Sequence, residues 1–233
     1  MISVCMATYN GGKYIKEQLH SILKQLGPED EVIISDDGSI DDTKKNIKEF
    51  NDLRIVLLDN QLEKGYTRNF ENAINHAKGS IIFLSDQDDV WHDDKVKIML
   101  KELEIFDFVV SDAIISNSNL IRTQGSHFKL HKVKAGFLVN WIKTRYIGAC
   151  MAFNKKILER ALPFPQNQQL CAHDYWLTVV AEAFYKVKII HIPLLKYRRH
   201  SSNASTGGEK SSNTLLFKIK VRFYTLTQLI KRI

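Results

Sequence analysis

The chain has 233 residues, 44% of them apolar and 25% charged, with a net charge of +7. Only four prolines and eleven glycines are present, so the composition is that of a folded globular domain and excludes a collagen-like or disordered chain. Cys5, Cys150 and Cys171 are widely separated and form no CxxC pair, which argues against a zinc ribbon or a disulfide framework and fits a reducing compartment.

Residues 2–7 form a short apolar run that reads as a first strand. It is too short for the core of a signal peptide, and no basic segment precedes it. No apolar run approaches the length needed to span a bilayer, so the expectation is a cytoplasmic protein. Residues 13–26 carry Ile15, Leu19, Ile22, Leu23 and Leu26 at helical spacing. Residues 31–35 read as a buried strand ending in Asp36-Asp37-Gly38-Ser39, 41–50 as a polar helix and 54–58 as another strand. Residues 67–77 have helical character stopped by Gly79, and 81–84 read as a strand ending in Asp86-Gln87-Asp88-Asp89. Strands interleaved with helices imply a doubly wound sheet with right-handed crossovers.

Beyond residue 106 the pattern loosens. Residues 108–110 read as strand, 116–134 as a polar surface excursion, and 147–153 as a strand candidate carrying Gly148. Residues 174–184 have helical spacing, 188–192 read as strand, and 201–213 as a Ser/Gly/Asn-rich link. In 215–233, Leu215, Ile219, Phe223, Leu226, Ile230 and Ile233 recur every three or four residues as one apolar stripe. The same segment holds Lys218, Lys220, Arg222, Lys231 and Arg232 and no acidic residue, a pattern suited to an interfacial helix on an anionic membrane.

Ligands of open parallel sheets bind just beyond the carboxyl ends of strands. Here the first strand ends in Thr8-Tyr9-Asn10 and two others end in carboxylate clusters. A group such as Asp86, Asp88 and Asp89 is electrostatically unfavourable without a cation among the charges. Hard oxygen ligands favour Mg2+ or Mn2+, which bridges protein carboxylates and a substrate diphosphate. Asp41, Asp42, Asp93 and Asp94 read instead as residues that start helices or turns. Trp91 and Trp176 read as partial core.

The strings ATYNGGKYIKEQLHSI, EVIISDDGSIDDT and GYTRNFENAINHAKGSIIFLSDQDDVW resemble family-two glycosyltransferases of the GT-A fold. GACMAFNKKIL, HDYWLTVVA and PLLKYRRHSSNASTG resemble the rhamnosyltransferase-like branch, and together these blocks cover about residues 1–207. The resemblance implies an α/β fold: a Rossmann-like, doubly wound mixed sheet with acceptor-side additions, here followed by a C-terminal amphipathic helix. Residues 1–105 would form the nucleotide-sugar-binding half, 106–207 the acceptor-binding and catalytic half, and 208–233 a flexible link and basic tail.

It also implies an inverting, metal-dependent transfer of a sugar from a dTDP- or UDP-linked donor to a glycan or lipid-linked acceptor, in the making of a bacterial surface polysaccharide. Thr8 and Tyr9 would border the nucleobase and Asp36 would accept a hydrogen bond from it. Arg68 would lie near the nucleotide, Asp86 near the ribose or donor sugar, and Asp88 on the metal. Asp174 would be the base that takes the acceptor's proton. In Tyr197-Arg198-Arg199-His200, Arg198 or Arg199 would hold the diphosphate and His200 would complete the metal shell.

Two other classes stay open. A sugar nucleotidyltransferase also joins such a sheet to metal and nucleotide, although Gly11-Gly12 is a poor match to its phosphate loop. A basic nucleic-acid-binding module would need basic and aromatic residues along one surface of the domain, whereas the surplus here sits on the tail. The expectation is no nucleic-acid partner, and a peripheral position on the inner face of the cytoplasmic membrane.

Overall fold

In the computed structural model, which describes residues 1–201, 203 and 213–233, the apolar runs of the N-terminal half become strands. β1 (Ile2–Thr8) and β2 (Glu31–Asp36) are buried almost throughout. Their continuous rather than alternating burial is that of strands covered on both faces. β3 (Ile55–Asp59), at the edge, is only half-buried. Helices α1 (Ile15–Leu23), α2 (Thr43–Lys48) and α3 (Tyr66–His76) connect these strands and lead to β4 (Ile81–Ser85).

The remaining elements are β5 (Val90–Trp91), α4 (Lys95–Leu103), β6 (Phe108–Ser116), β7 (Arg122–Ser126), α5 (His127–His131) and α6 (Phe137–Lys143). After them come β8 (Met151–Asn154), α7 (Leu158–Ala161), α8 (His173–Phe184), β9 (Val187–Arg198) and α9 (Leu215–Ile230). The polar stretch 116–134 thus holds β7 and α5, and the strand candidate at 147–153 opens with a 3-10 turn, Gly148–Cys150. The expected link at 201–213 lies mostly outside the described residues.

The described residues form one nine-stranded sheet in the order β3-β2-β1-β4-β8-β6-β9-β5, with β7 paired to β6. β1 to β4 are mutually parallel, with Val4 opposite Val32 on one side and Phe83 on the other. β8 runs antiparallel to both β4 and β6, and β9 returns parallel to β6. The sheet is therefore mixed, and the insertion of β8 joins the doubly wound half to the rest.

Trp91 and Trp176 are fully buried, and Trp176 Nε1 donates to the Ala161 carbonyl at 2.8 Å. Lys95 is buried with them. Its ammonium donates to the Ala149 carbonyl at 2.6 Å and lies 4.7 Å from the Trp91 ring, and burial pushes it down to about 8.

α9 packs on the domain through Val221, Thr225 and Leu229, spaced four residues apart on one face. Trp141 Nε1 donates to the Arg222 carbonyl at 3.2 Å, and Arg232 Nη1 donates to the Leu162 carbonyl at 2.8 Å. Leu215, Ile219, Phe223 and Ile230 point the other way and are exposed.

Candidate active site

Because β1, β2 and β4 are parallel and in register, their carboxyl ends meet at one edge: Thr8 lies opposite Asp36, and Met6 opposite Ser85. A cleft of about 690 Å³ opens there. Thr8, Tyr9, Asp37, Asp86 and Asp88 supply one wall, α3 supplies Tyr66, Asn69 and Phe70, and α8 supplies His173 and Asp174. The segment from Lys143 to Gly148 closes the far side.

Side chains sew the loops after the strands together. The Gln87 amide accepts from Tyr9 N at 2.9 Å and donates to Tyr9 O at 3.0 Å, fixing the first loop to the third. Gly11 permits this, since a Cβ there would meet Gln87 Oε1 at 2.1 Å. Asn10, in the left-handed region at φ 49°, accepts from Ile40 N at 3.0 Å and donates its own amide to Ser39 Oγ at 2.8 Å. Such a φ is tolerated by asparagine better than by most side chains.

Asp88 Oδ2 lies 2.8 Å from His200 Nε2 and 3.1 Å from Asn203 Nδ2. Burial, together with the charges of Asp88 and Asp174, pushes the Asp86 carboxyl up to about 7. Burial and the charges of Asp88 and Asp86 hold Asp89 well above the ordinary carboxylate range, and its Oδ2 has no partner among the described residues. This concentration of carboxylates is what a bound cation would relieve. No group of three or more His, Cys, Asp or Glu is arranged to hold a metal among the described residues. Asp88 and His200 nevertheless fit Mg2+ or Mn2+, which keeps waters and substrate oxygens and needs only one or two protein ligands.

Asp174 is the second residue of α8, and its Oδ1 accepts from Tyr175 N at 2.7 Å. Ala172, not Asp174, occupies the helix cap, so the carboxylate is held at the helix start while facing the cleft. His173 beside it stacks on Phe70 at 4.1 Å, and a Cβ on Gly148 would come within 3.0 Å of its Nε2. Gly148 is therefore a close-approach position for His173.

Residues 3–162 match the family model described as Glycosyl transferase family 2. The chain belongs to glycosyl transferase family 2. It is 31% identical to the dTDP-rhamnosyl transferase RfbG of Shigella flexneri, over 85% of this chain and 72% of that protein. Over 123 residues it is 32% identical to the Escherichia coli UDP-Glc:alpha-D-GlcNAc-diphosphoundecaprenol beta-1,3-glucosyltransferase WfgD, a match covering 52% of this chain and only 49% of that protein.

In fold it is similar to S. aureus TarS 1-349 in complex with UDP-GlcNAc, with TM-score 0.74 at 18% identity over 97% of this chain and 66% of that one. The mannosyltransferase PcManGT of Pyrobaculum calidifontis, in complex with GDP-Man and Mn2+, gives TM-score 0.59 at 23% identity over 82% and 54% of the two chains. The fold is GT-A, and family membership decides among the three classes that the sequence left open.

Within this family-two chain, Thr8, Tyr9, Asp86, Asp88 and Asp174 line the cleft, and His200 is joined to it through Asp88. Four other expected residues are placed differently. Asp36 is 1% exposed, and its carboxylate accepts from Gly38 N, Ser39 N, Ser39 Oγ and Thr8 Oγ1, so it ties the turn and Asp37 faces the cleft instead. Burial alone would raise Asp36, but the Ser39 and Thr8 donors outweigh it and hold the carboxyl below its ordinary value.

Arg68 pairs with Glu71 and donates to the Phe164 and Pro165 carbonyls, away from the cleft. The Arg198 guanidinium is buried and bonded to Glu17 and to the carbonyls of Asp88 and Ser118, so its donors are committed to the chain itself. Arg199 donates its amide to the Ser116 carbonyl at 2.8 Å and lies 5.9 Å from the Tyr197 ring, and it is not among the described cleft-lining residues.

Sequence reasoning missed Asp37, Asn69 and Gln87 as shapers of the cleft. Asn69 Nδ2 donates to the Thr8 carbonyl at 3.1 Å, while its Oδ1 is buried without a partner among the described residues. For Gln87 a signal existed, since it stands between the two aspartates of Asp86-Gln87-Asp88 just beyond β4.

Proposed function

We propose that the cleft binds a nucleoside-diphosphate sugar and that the chain transfers its sugar, with inversion, to a hydroxyl of a saccharide acceptor. The observation that carries this reading is the Asp88–His200 pair on one wall and Asp174 on another wall of a single cleft at the strand ends. The names of RfbG and WfgD and the ligands of TarS and PcManGT support a nucleotide-linked sugar as donor, with dTDP or UDP as the first nucleotides to test. RfbG supports rhamnose as a first donor sugar to test.

In this reading Thr8, Tyr9 and Asp37 border the nucleoside, and Asp86 faces the ribose or donor sugar. Asp88 and His200 would hold Mn2+ or Mg2+, which when bound neutralises charge on the departing diphosphate. Arg198, through Asp88 O and Asp89, positions the metal-binding loop rather than touching phosphate. Asp174 accepts the acceptor hydroxyl's proton as the new glycosidic bond forms and the bond to the nucleoside diphosphate breaks. Gln87, by clamping Tyr9, keeps the nucleoside wall in register with the carboxylates.

We place the product in a bacterial surface polysaccharide, with a glycan or lipid-linked acceptor. None of the described helices is long and apolar enough to cross a membrane. The exposed stripe of α9 supports peripheral contact with the inner face of the cytoplasmic membrane. The test is a donor panel with purified protein, with and without Mn2+. Metal-dependent release of nucleoside diphosphate from one donor, with product of inverted anomeric configuration by NMR, is expected. No metal-dependent turnover of any donor, or retained configuration, overturns the reading.

A further inference from the structure

Beside the cleft, a second cavity of about 310 Å³ lies under α5 and α6. Lys132, Lys134, Lys143 and Arg145 line it together with His131, and Lys143 and Arg145 also line the cleft itself. No carboxylate lies within 4.0 Å of any of these four cations among the described residues. Glu182, behind the wall, is engaged by Asn140, Tyr146 and Gly136.

His131 holds Arg145 in place at the cavity wall. Arg145 Nη1 lies 3.0 Å from His131 Nδ1, and a guanidinium only donates, so Nδ1 accepts and the ring proton sits on Nε2. That Nε2 is buried with no partner among the described residues. Burial, His127, Arg145 and Lys143 push His131 down to about 4, so it stays uncharged at neutral pH. Lys143 is lowered too, first by Arg145, with Lys218 and Arg222 contributing, which marks a field of uncompensated positive charge.

The cavity is flanked by apolar surface. Leu138, Val139 and Ile142 of α6 are exposed, as are Leu215, Leu216, Ile219 and Phe223 of α9. The two helices are joined by Trp141 Nε1 to Arg222 O and by Arg222 Nε to Ile142 O at 2.7 Å. Cations without carboxylate partners, one edge open to the cleft and exposed apolar helix faces alongside, match an amphiphile with a strongly anionic head.

We infer that this cavity holds the diphosphate of a lipid-diphosphate-linked saccharide acceptor, with the lipid against α6 and α9 and the saccharide reaching into the cleft toward Asp174. The inference rests on the transferase reading for the saccharide but names a separate anion site. Two phosphates carry the charge that four cations can engage, and charge-assisted bonds of this kind are the strong ones.

The test uses the full chain in EDTA, which removes metal-dependent donor binding, with farnesyl diphosphate, inorganic pyrophosphate and farnesol as probes in calorimetry. Farnesyl diphosphate is expected to bind, pyrophosphate more weakly, and farnesol not measurably. Lys132→Glu and Lys134→Glu, which line this cavity and not the cleft, are each expected to weaken farnesyl diphosphate by roughly tenfold or more, leaving Mn2+-dependent donor binding within about twofold. No binding of farnesyl diphosphate, unchanged affinity in both variants, or competition by a nucleoside diphosphate in EDTA would overturn it. Because these arms need no turnover, failure of the transferase reading leaves a distinct signature: diphosphate binding intact and no metal-dependent donor chemistry.

Discussion

His200 Nε2 and Asp88 Oδ2 stand 2.8 Å apart although 112 residues separate them in the chain. The contact joins the loop after β4 to the end of β9, and Asn203 Nδ2 reaches the same oxygen at 3.1 Å. If this pair holds the metal, Asp88→Ala should nearly abolish Mn2+-dependent donor binding. His200→Gln should weaken it by at least about tenfold to a hundredfold, the range for altered metal surroundings. Calorimetric titration of donor with and without Mn2+ reads both. Undiminished metal-dependent affinity in Asp88→Ala would remove it as a ligand.

Asp174→Asn keeps size and shape at the start of α8 and can still accept from Tyr175 N. It cannot take a proton. Transfer should fall by roughly a hundredfold to ten-thousandfold while donor affinity stays near that of the wild type. Near-normal turnover in this variant would disqualify Asp174 as base.

Asp36 and Asp37 should separate cleanly. Asp36→Asn loses charge-assisted acceptance from Ser39 and Thr8 and should cost about 1–3 kcal/mol of stability. Asp37→Asn should act mainly on donor affinity, since Asp37 lines the cleft. The folded-state pKa of Asp36 is depressed, so its stabilisation is present above the ordinary carboxylate value of 3.8 and is lost as pH falls through the folded value. The melting difference between wild type and Asp36→Asn should therefore be full at neutral pH and shrink in acid. A constant difference across that range would contradict the assignment.

The same two aspartates mark where the sequence was legible and where it was not. Buried apolar runs ending in Asp36-Asp37 and Asp86-Gln87-Asp88 located the sheet edge, because uninterrupted Val/Ile/Leu strands must be covered on both faces and leave only their ends for ligands. Which neighbouring aspartate faces the cleft depends on the turn: Gly38, at φ 90°, folds Ser39 back onto Asp36. Arg198 is placed differently from expectation because the sequence pattern predicts a strand ending at residue 192. β9 continues to Arg198, and two-residue alternation then turns Tyr197 to the cleft and Arg198 to Glu17 and Tyr14. The basic cavity under α5 and α6 is lined by residues of one stretch, 131–145, whose basic residues follow no period that marks a site.

Arg198→Met tests that revision. Removing the guanidinium leaves the Asp88 and Ser118 carbonyls without their donor and Glu17 without its partner. Glu17 is about half exposed and rehydrates, so the carbonyls carry most of the cost, about 2–4 kcal/mol. Thermal or urea unfolding measures this. A variant of full stability whose donor affinity alone collapses would return Arg198 to the phosphate.

The last prediction concerns α9 at a membrane. The helix is docked through Val221, Thr225 and Leu229, while Ile219 and Phe223 are 56% and 69% exposed on the opposite face. The guanidiniums of Arg222 and Arg232 are bonded to domain carbonyls, which leaves Lys218, Lys220 and Lys231 as the side chains best able to reach anionic lipid. At about 1 kcal/mol each, three lysines give modest, salt-sensitive attachment, and the apolar face must supply the rest. Truncating the helix would uncover its docking face and confound the result, whereas Ile219→Glu with Phe223→Glu alters only the exposed side. Wild type should sediment with phosphatidylglycerol vesicles at low salt, less at high salt, and little with phosphatidylcholine, and the double variant should stay in solution. Equal sedimentation of the two proteins would mean that the stripe is not a membrane contact.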